Sequence, residues 1–406
     1  MSDQRESAAM RVHRYLVANH LQGGALIGPD PGVRFNYRIG RFIKGYLPAL
    51  QWRDDLYYLQ GQGYWVLGNL ALARQAGRAE YEDLAIAAAA EMLARQRPDG
   101  AWVYPNPEWH GRVANAEGSW AAIGLLAAYR RTGQTRFLEG ALRWHHFLIE
   151  CVGFQRTGEQ LAVNYFAGWP DDERVPNNSG FVLHMLADLA DATGDPGYLG
   201  PCRGMLAFME AVQMPSGEFP YALAGTGGGA DRPHYQCFQY NAFQCFDLMR
   251  YWELTGEEAA LPLIKQGLRF LKTGQAADGH ARYDCTDEHR AVTYHAAVLG
   301  AAFLKAGQIG LGDYSQEADR AYRYVLGQQR EDGSFPHSQG DYRLLGDRRS
   351  YPRYLAMILY HLMLSTAARE DSGGATAQRA GEAAGGDTRP GAAVAAAQDG
   401  REGTEL

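Results

Sequence analysis

Two interleaved glycine series run along most of the 406 residues. In the first, a glycine follows a glutamine-containing helix end at Gly100 (QRPDGAW), Gly158 (QRTGEQ), Gly217 (QMPSGEF), Gly279 (QAADGHA) and Gly333 (QREDGSF), at intervals of 58, 59, 62 and 54 residues. In the second, Gly77, Gly133, Gly194, Gly256 and Gly307 recur at intervals of 56, 61, 62 and 51 residues. Self-similarity at a fixed period marks a repeat architecture. Two offset series sharing one period predict two helices per repeat, each closed by a glycine in the left-handed C′ position.

The segments between these glycines carry helical periodicity and strong helix formers, as in YEDLAIAAAAEMLARQ, CRGMLAFMEAVQ and LIKQGLRFLKTGQ. With an N-terminal helix around Glu6 to His20, they form an outer set of six. A second set is expected to begin near Asp54, Val113, Asn178, Tyr235, Arg290 and Ser350. Six helical hairpins that close into a ring make an all-α (α/α)6 toroid, expected from about residue 5 to 366. An open solenoid would end in polar capping repeats, whereas the final helix, RYLAMILYHLML, is strongly apolar. Residues 367–406 are rich in Ala and Gly and contain no aromatic residue. Such a segment buries too little apolar area to offset its chain entropy, so a disordered tail is expected there.

The net charge is -7, which argues against the basic surplus that nucleic acids and anionic membranes attract. The first residues, MSDQRESAAMRVHRY, hold no apolar run. The cysteines (Cys151, Cys202, Cys237, Cys245 and Cys285) are odd in number and show no CxxC pair. A cytoplasmic location with free thiols is the expectation. With no HExxH and no Cys/His cluster at ligand spacing, neither a metal nor a cofactor is expected.

The second helix set opens with polar and aromatic residues: WRDDLYYLQGQGYW, NAEGSW, NNSGFVLH, HYQCFQYNAFQ, DEHRAVTYH and DRRSYPRY. Buried amides and charges need partners, so polar groups at these starts point to a cavity with a ligand. Asp54 and Asp55 are candidates for a general acid or base, with helix capping the competing reading. His234 and Tyr235 precede Gln236, Gln239, Tyr240 and Gln244, which share one helical face; the pair can remove and return a proton on a sugar ring, against an internal hydrogen-bond network. Asn178 and His184 are weaker candidates for holding a substrate carboxylate. Arg290, Arg349 and Arg353 offer forks for an anionic group, unless nearby Asp284, Asp287, Asp341 and Asp347 absorb them. The long loops feeding these helices add Glu108, Trp109, Asp172, Trp169 and Tyr221; exposed aromatic plates there suit pyranose faces, against simple capping of the rim.

Two family resemblances follow. RAYRYVLGQQREDGSF (320–335), and more loosely RGMLAFMEAVQMPSGEF (203–219), resemble the QW repeat of terpenoid cyclases and protein prenyltransferase β-subunits, which braces an α/α toroid. The chain lacks the cyclases' DxDD acid motif, and Asp284–Cys285 departs from the prenyltransferases' Asp-x-Cys zinc pattern. HYQCFQYNAFQCFDLMRYWELTGE (234–257) is similar to a His/Tyr-bearing helix of glucuronyl epimerases. WRDDLYY (52–58) is similar to a Trp-x-Asp-Asp-Leu segment carrying the catalytic Asp of unsaturated glucuronyl hydrolases, though it sits on a different helix in the order. Uronate polysaccharide lyases share this six-hairpin plan. The resemblance implies a carbohydrate-active enzyme using metal-free acid/base chemistry on a uronate-containing sugar. In the epimerase or lyase form, Tyr235 or His234 takes the carbon-5 proton. In the hydrolase form, Asp54 or Asp55 works with Glu108 or Asp172. A cyclase-like enzyme, or a non-catalytic glycan-binding toroid, stands as the alternative.

Overall fold

Along the chain, helices with a single buried stripe alternate with helices buried around nearly their whole circumference; this difference sorts the chain into two concentric layers. In the computed structural model, residues 2–31, 40, 43, 46–47, 55–109, 111–170, 172–340 and 345–367 are described. They contain an outer set, α1 (Ser2–His20), α3 (Ala79–Ala94), α5 (Thr135–Phe147), α7 (Cys202–Val212), α9 (Ala260–Thr273) and α11 (Ser315–Gly327). The inner set is α2 (Leu59–Ala76), α4 (Asn115–Thr132), α6 (Pro176–Thr193), α8 (Cys237–Thr255), α10 (Thr293–Gln308) and α12 (Pro352–Ala367). On α9 the buried residues Leu263, Ile264, Gly267, Leu268 and Leu271 form one stripe, whereas α10 is buried without interruption from Thr293 to Phe303. A helix apolar all round must lie between other elements, and the inner set does.

Each inner helix packs on the next, and α12 packs on α2 to close the ring. The fold is an (α/α)6 toroid. Large side chains such as Trp65, Phe137, Trp144 and Phe208 are fully buried. The only strands among the described residues are short antiparallel pairs: β1 (Leu21–Gln22) with β2 (Ala25–Leu26), β3 (Phe154–Thr157) with β4 (Gln160–Val163), and β5 (Ala291–Val292) with β6 (Ser338–Gln339).

The glutamine–glycine repeat is the device that joins neighbouring outer helices. Gln96 donates to the carbonyls of Gly100 and Gly140, and Gln213 to those of Gly217 and Leu263. Gln329 donates to Gly333 and, across the seam, to Ala8 of α1. Gly333 has φ 88, and a Cβ there would sit 2.5 Å from the Arg11 carbonyl oxygen, so only glycine allows this approach. The outer ring is thus closed by the same contact that spaces its members.

Three expectations need correction. Gly77, Gly133, Gly194 and Gly256 do cap inner helices in the left-handed conformation, but Gly307 lies inside α10. The glycines of the first series lie past the helix ends, in the turns just described. Gly158, expected among them, instead turns the β3–β4 hairpin, where a Cβ would meet nothing within 4 Å. The structure describes one compact unit ending at Ala367; the tail expected beyond it lies outside the described residues, as does Asp54. No described helix is long and apolar enough to cross a membrane.

Candidate active site

All six inner helices begin at the same end of the ring, and their first turns wall a cavity of about 260 Å³. Gln60 enters from α2; Glu117 and Trp120 from α4; Asn177, Asn178 and Phe181 from α6; Gln239, Tyr240 and Asp247 from α8; Tyr294 and His295 from α10; Arg353 and Tyr354 from α12. The loops add Tyr104, Tyr165, Tyr221, Tyr235, Tyr283, Arg290 and His337. The wall is therefore polar and tyrosine-rich rather than greasy. None of α2, α4, α6, α8 and α10 has a side-chain hydrogen bond at its N-cap. Their N-terminal N–H groups and dipoles converge on the mouth, which favours anions there.

Glu117 answers part of that field. It is 1% exposed, and its carboxylate accepts the Gln60 N–H of α2 at 3.2 Å. Burial pushes its pKa up to about 7, against the opposing pull of Arg353 and of the backbone N–H groups at the start of α2. A carboxyl that titrates near neutrality on a cavity wall is fit for proton transfer. Arg353 is fully committed nearby: Nε lies 2.7 Å and an Nη 2.9 Å from the two oxygens of buried Asp30. The Tyr58 and Tyr354 rings cover the guanidinium at 4.3 and 4.7 Å.

Opposite in character is His295. Burial, aided by Arg290, holds its pKa well below the usual imidazole range, so the ring is neutral. Its Nδ1 has no hydrogen-bond partner among the described residues. Tyr283 stacks on it at 5.8 Å and Tyr294 meets it edge-on at 4.5 Å; His337 stacks on Tyr294 at 6.0 Å. Arg290 lies over Tyr283 at 4.1 Å.

The floor is an ionic cluster. His184 sits 2.8 Å from Asp247 and 3.2 Å from Asp188, and Asp188 also meets Arg130 at 3.1 Å and Arg250 at 2.9 Å. Burial alone would lower the His184 pKa, but the two carboxylates outweigh it and raise it to about 9. Burial likewise works against the Asp188 carboxylate, yet Arg250, His184 and Arg130 hold it well below the usual range. His184 is thus occupied internally and does not receive a substrate carboxylate.

The residues singled out from sequence divide accordingly. Tyr235, Asn178, Gln239, Arg290 and Arg353 line the cavity, with the Asn178 Nδ2 and Gln239 Oε1 unpartnered among the described residues. His234 does not line it: its Nδ1 turns to Glu218 at 3.1 Å. Asp55 is exposed and away from the lining, and Tyr58 rather than either aspartate occupies the N-cap of α2. Asp172 also stays outside, accepting the Glu173 N–H at 2.9 Å. Glu108 falls in a 3-10 turn (Pro107–Trp109). Trp109 stacks on Phe166 at 5.4 Å, and Arg112 bridges it to Trp169 at the rim. Arg349 lies over Tyr351 at 5.3 Å, outside the lining. Neither Asn177 nor Asn178 caps α6, which begins at Pro176 with Val175 as its N-cap.

Sequence reasoning missed Glu117, His295 and Asp30. Glu117 and His295 were within reach, since both stand in the polar openings NAEGSW and DEHRAVTYH. Asp30 carried no signal, because its partner is 323 positions away.

No family model matches the chain, and no curated protein sequence matches it. Solved structures do. A cellobiose 2-epimerase from Bacillus thermoamylovorans matches with a TM-score of 0.69 at 13% identity, over 89% of this chain and 99% of the other. A possible member of the GH105 family from Salmonella enterica matches at 0.67 and 15% identity, over 90% and 94%. A glycosyl hydrolase of family 88 from Bacteroides vulgatus matches at 0.63 and 12% identity, over 90% and 98%. At these identities the likeness establishes the toroid, end to end, and the chemistry rests on the site.

Proposed function

We propose that this chain is a carbohydrate-active enzyme that moves a proton on an anionic, uronate-containing sugar. The observation that carries the reading is a neutral imidazole, His295, and a buried carboxyl poised near neutrality, Glu117, lining one polar, tyrosine-rich cavity from inner helices three apart in the ring. Tyrosine and amide side chains suit sugar rings, offering apolar faces and hydrogen bonds together. The likeness to an epimerase and to glycoside hydrolases supports a saccharide as the class of substrate.

In this reading Arg290 meets the sugar carboxylate beside His295, and Arg353 holds the wall in place through Asp30. The neutral His295 imidazole takes the proton from the carbon next to the carboxylate. The electron pair passes into the carboxylate as an enolate-like charge, which Arg290 and the converging helix N-termini stabilise. Protonated Glu117 then returns a proton: to the carbon for epimerisation, or to the departing oxygen for elimination.

Incubation with uronate glycans in heavy water tests this. Deuterium at carbon 5, or the ultraviolet absorbance of an unsaturated uronate, is the expected result. New reducing ends with neither signature would replace proton transfer at carbon by hydrolysis. Silence on uronate glycans and on neutral disaccharides alike would overturn the carbohydrate reading.

A further inference from the structure

Beside the cavity mouth, four side chains from three separate stretches of chain converge: Glu218, His234, Cys237 and Cys285. One ligand atom from each lies within 4.8 Å of all the others. Cys285 Sγ is 3.3 Å from Cys237 Sγ and 3.6 Å from a Glu218 oxygen, and His234 Nδ1 is 3.1 Å from the other Glu218 oxygen. We propose that this cluster is a zinc site that pins the two loops on that side of the mouth together.

Geometry, donor chemistry and support all favour it. A tetrahedral ion with metal–ligand distances of about 2.0–2.3 Å has donor–donor edges of about 3.3–3.8 Å, which the close contacts here approach. Two thiols, an imidazole and a carboxylate form a set that selects zinc over the hard cations magnesium and calcium. The Glu218 carboxyl is 1% exposed and faces the thiols, an arrangement that a divalent cation would compensate. Solvent reaches the cluster through exposed His234 and Cys285.

The donors are also held in advance. Asn241 accepts the Phe219 N–H at 2.7 Å and donates to the carbonyls of Phe219 and Cys237 at 3.1 and 2.8 Å. It thereby fixes Glu218 against the first turn of α8. Asp284 accepts the N–H groups of Thr286 and Asp287 at 2.8 and 2.7 Å, shaping the loop that presents Cys285. Such outer support is what a metal site needs.

With four protein donors the site is closed, which is the structural rather than the catalytic form. It would tie the loop carrying Tyr235 and Gln236 to the loop carrying Tyr283 and Arg290, all four being lining residues. The inference does not depend on the sugar reading.

The test uses the full chain, reduced and free of any affinity tag. Elemental analysis after zinc exposure and desalting is expected to find about one zinc per chain, and at least tenfold less in the Cys237→Ser/Cys285→Ser double variant, with Cys151→Ser unchanged. Cobalt added to metal-free wild type should give intense visible bands and a thiolate-to-cobalt charge-transfer band, a readout that does not rely on any variant folding. His234→Ala should weaken zinc binding at least tenfold in a chelator competition. A wild-type chain that retains no zinc, a cobalt spectrum without the thiolate band, equal zinc in the double-cysteine variant, or a Cys237–Cys285 disulfide that persists in reductant would each overturn the proposal.

Discussion

Replacing Glu117 by Gln separates the charge of this carboxyl from its hydrogen bond. Gln keeps an oxygen to accept the Gln60 N–H but cannot ionise. The wild-type carboxyl holds its proton more tightly folded than unfolded, its pKa rising from 4.5 to about 7. The stability contributed by that tighter proton is full below about 4.5 and is lost as pH rises through about 7. At about 1.4 kcal/mol per tenfold change in proton affinity, the loss amounts to about 3 kcal/mol. Every other titrating group is shared by both proteins and cancels in their difference. Urea denaturation followed by circular dichroism at pH 4.5, 6 and 8 should therefore show Glu117→Gln gaining about 3 kcal/mol on wild type from the lowest pH to the highest. Parallel pH profiles would refute the assignment of Glu117 as a buried carboxyl titrating near neutrality. Under the proposed mechanism the same variant loses turnover, so the cavity trades stability for a usable proton.

Other outcomes follow from the same geometry. His184 contributes stability below about 6.5 that is lost as pH rises through about 9; the wild-type melting temperature should fall across that window, and His184→Ala, which strands buried Asp247 while Asp188 keeps Arg130 and Arg250, should cost about 3–5 kcal/mol at neutral pH and remove that slope. Gln329→Ala removes the donated bonds to Ala8 and Gly333 and the bond accepted from Arg11 of α1, and should cost about 1–3 kcal/mol in denaturant melts. Gly333→Ala should destabilise far more than Gly158→Ala, since only the former drives a Cβ into a neighbouring carbonyl; equal melting temperatures would contradict the seam. Once a uronate substrate is in hand, His295→Asn should abolish deuterium exchange at carbon 5, and Arg290→Gln should raise KM for the anionic sugar more than for a neutral analogue.

The glycine period, the apolar final helix and the polar openings of alternate segments were enough to specify a closed double ring with a hydrophilic mouth, because each is a local consequence of helix length, helix ending and helix burial. Tyr235, Asn178, Gln239, Arg290 and Arg353 followed from that pattern, since a residue in the first turn of an inner helix or in the loop that feeds it has the cavity as its nearest space. What remained hidden depends on partners far apart in the chain. Asp30 finds Arg353 only when the ring closes, His234 turns away from the cavity because Glu218 arrives beside it, and Asp55 stays in solvent because α2 starts later than its polarity implied. Burial is likewise a property of the assembled ring: Glu117 and His295 are ordinary residues in the sequence, and only enclosure by five other helices raises the pKa of one carboxyl to about 7 and keeps the other side chain a neutral imidazole.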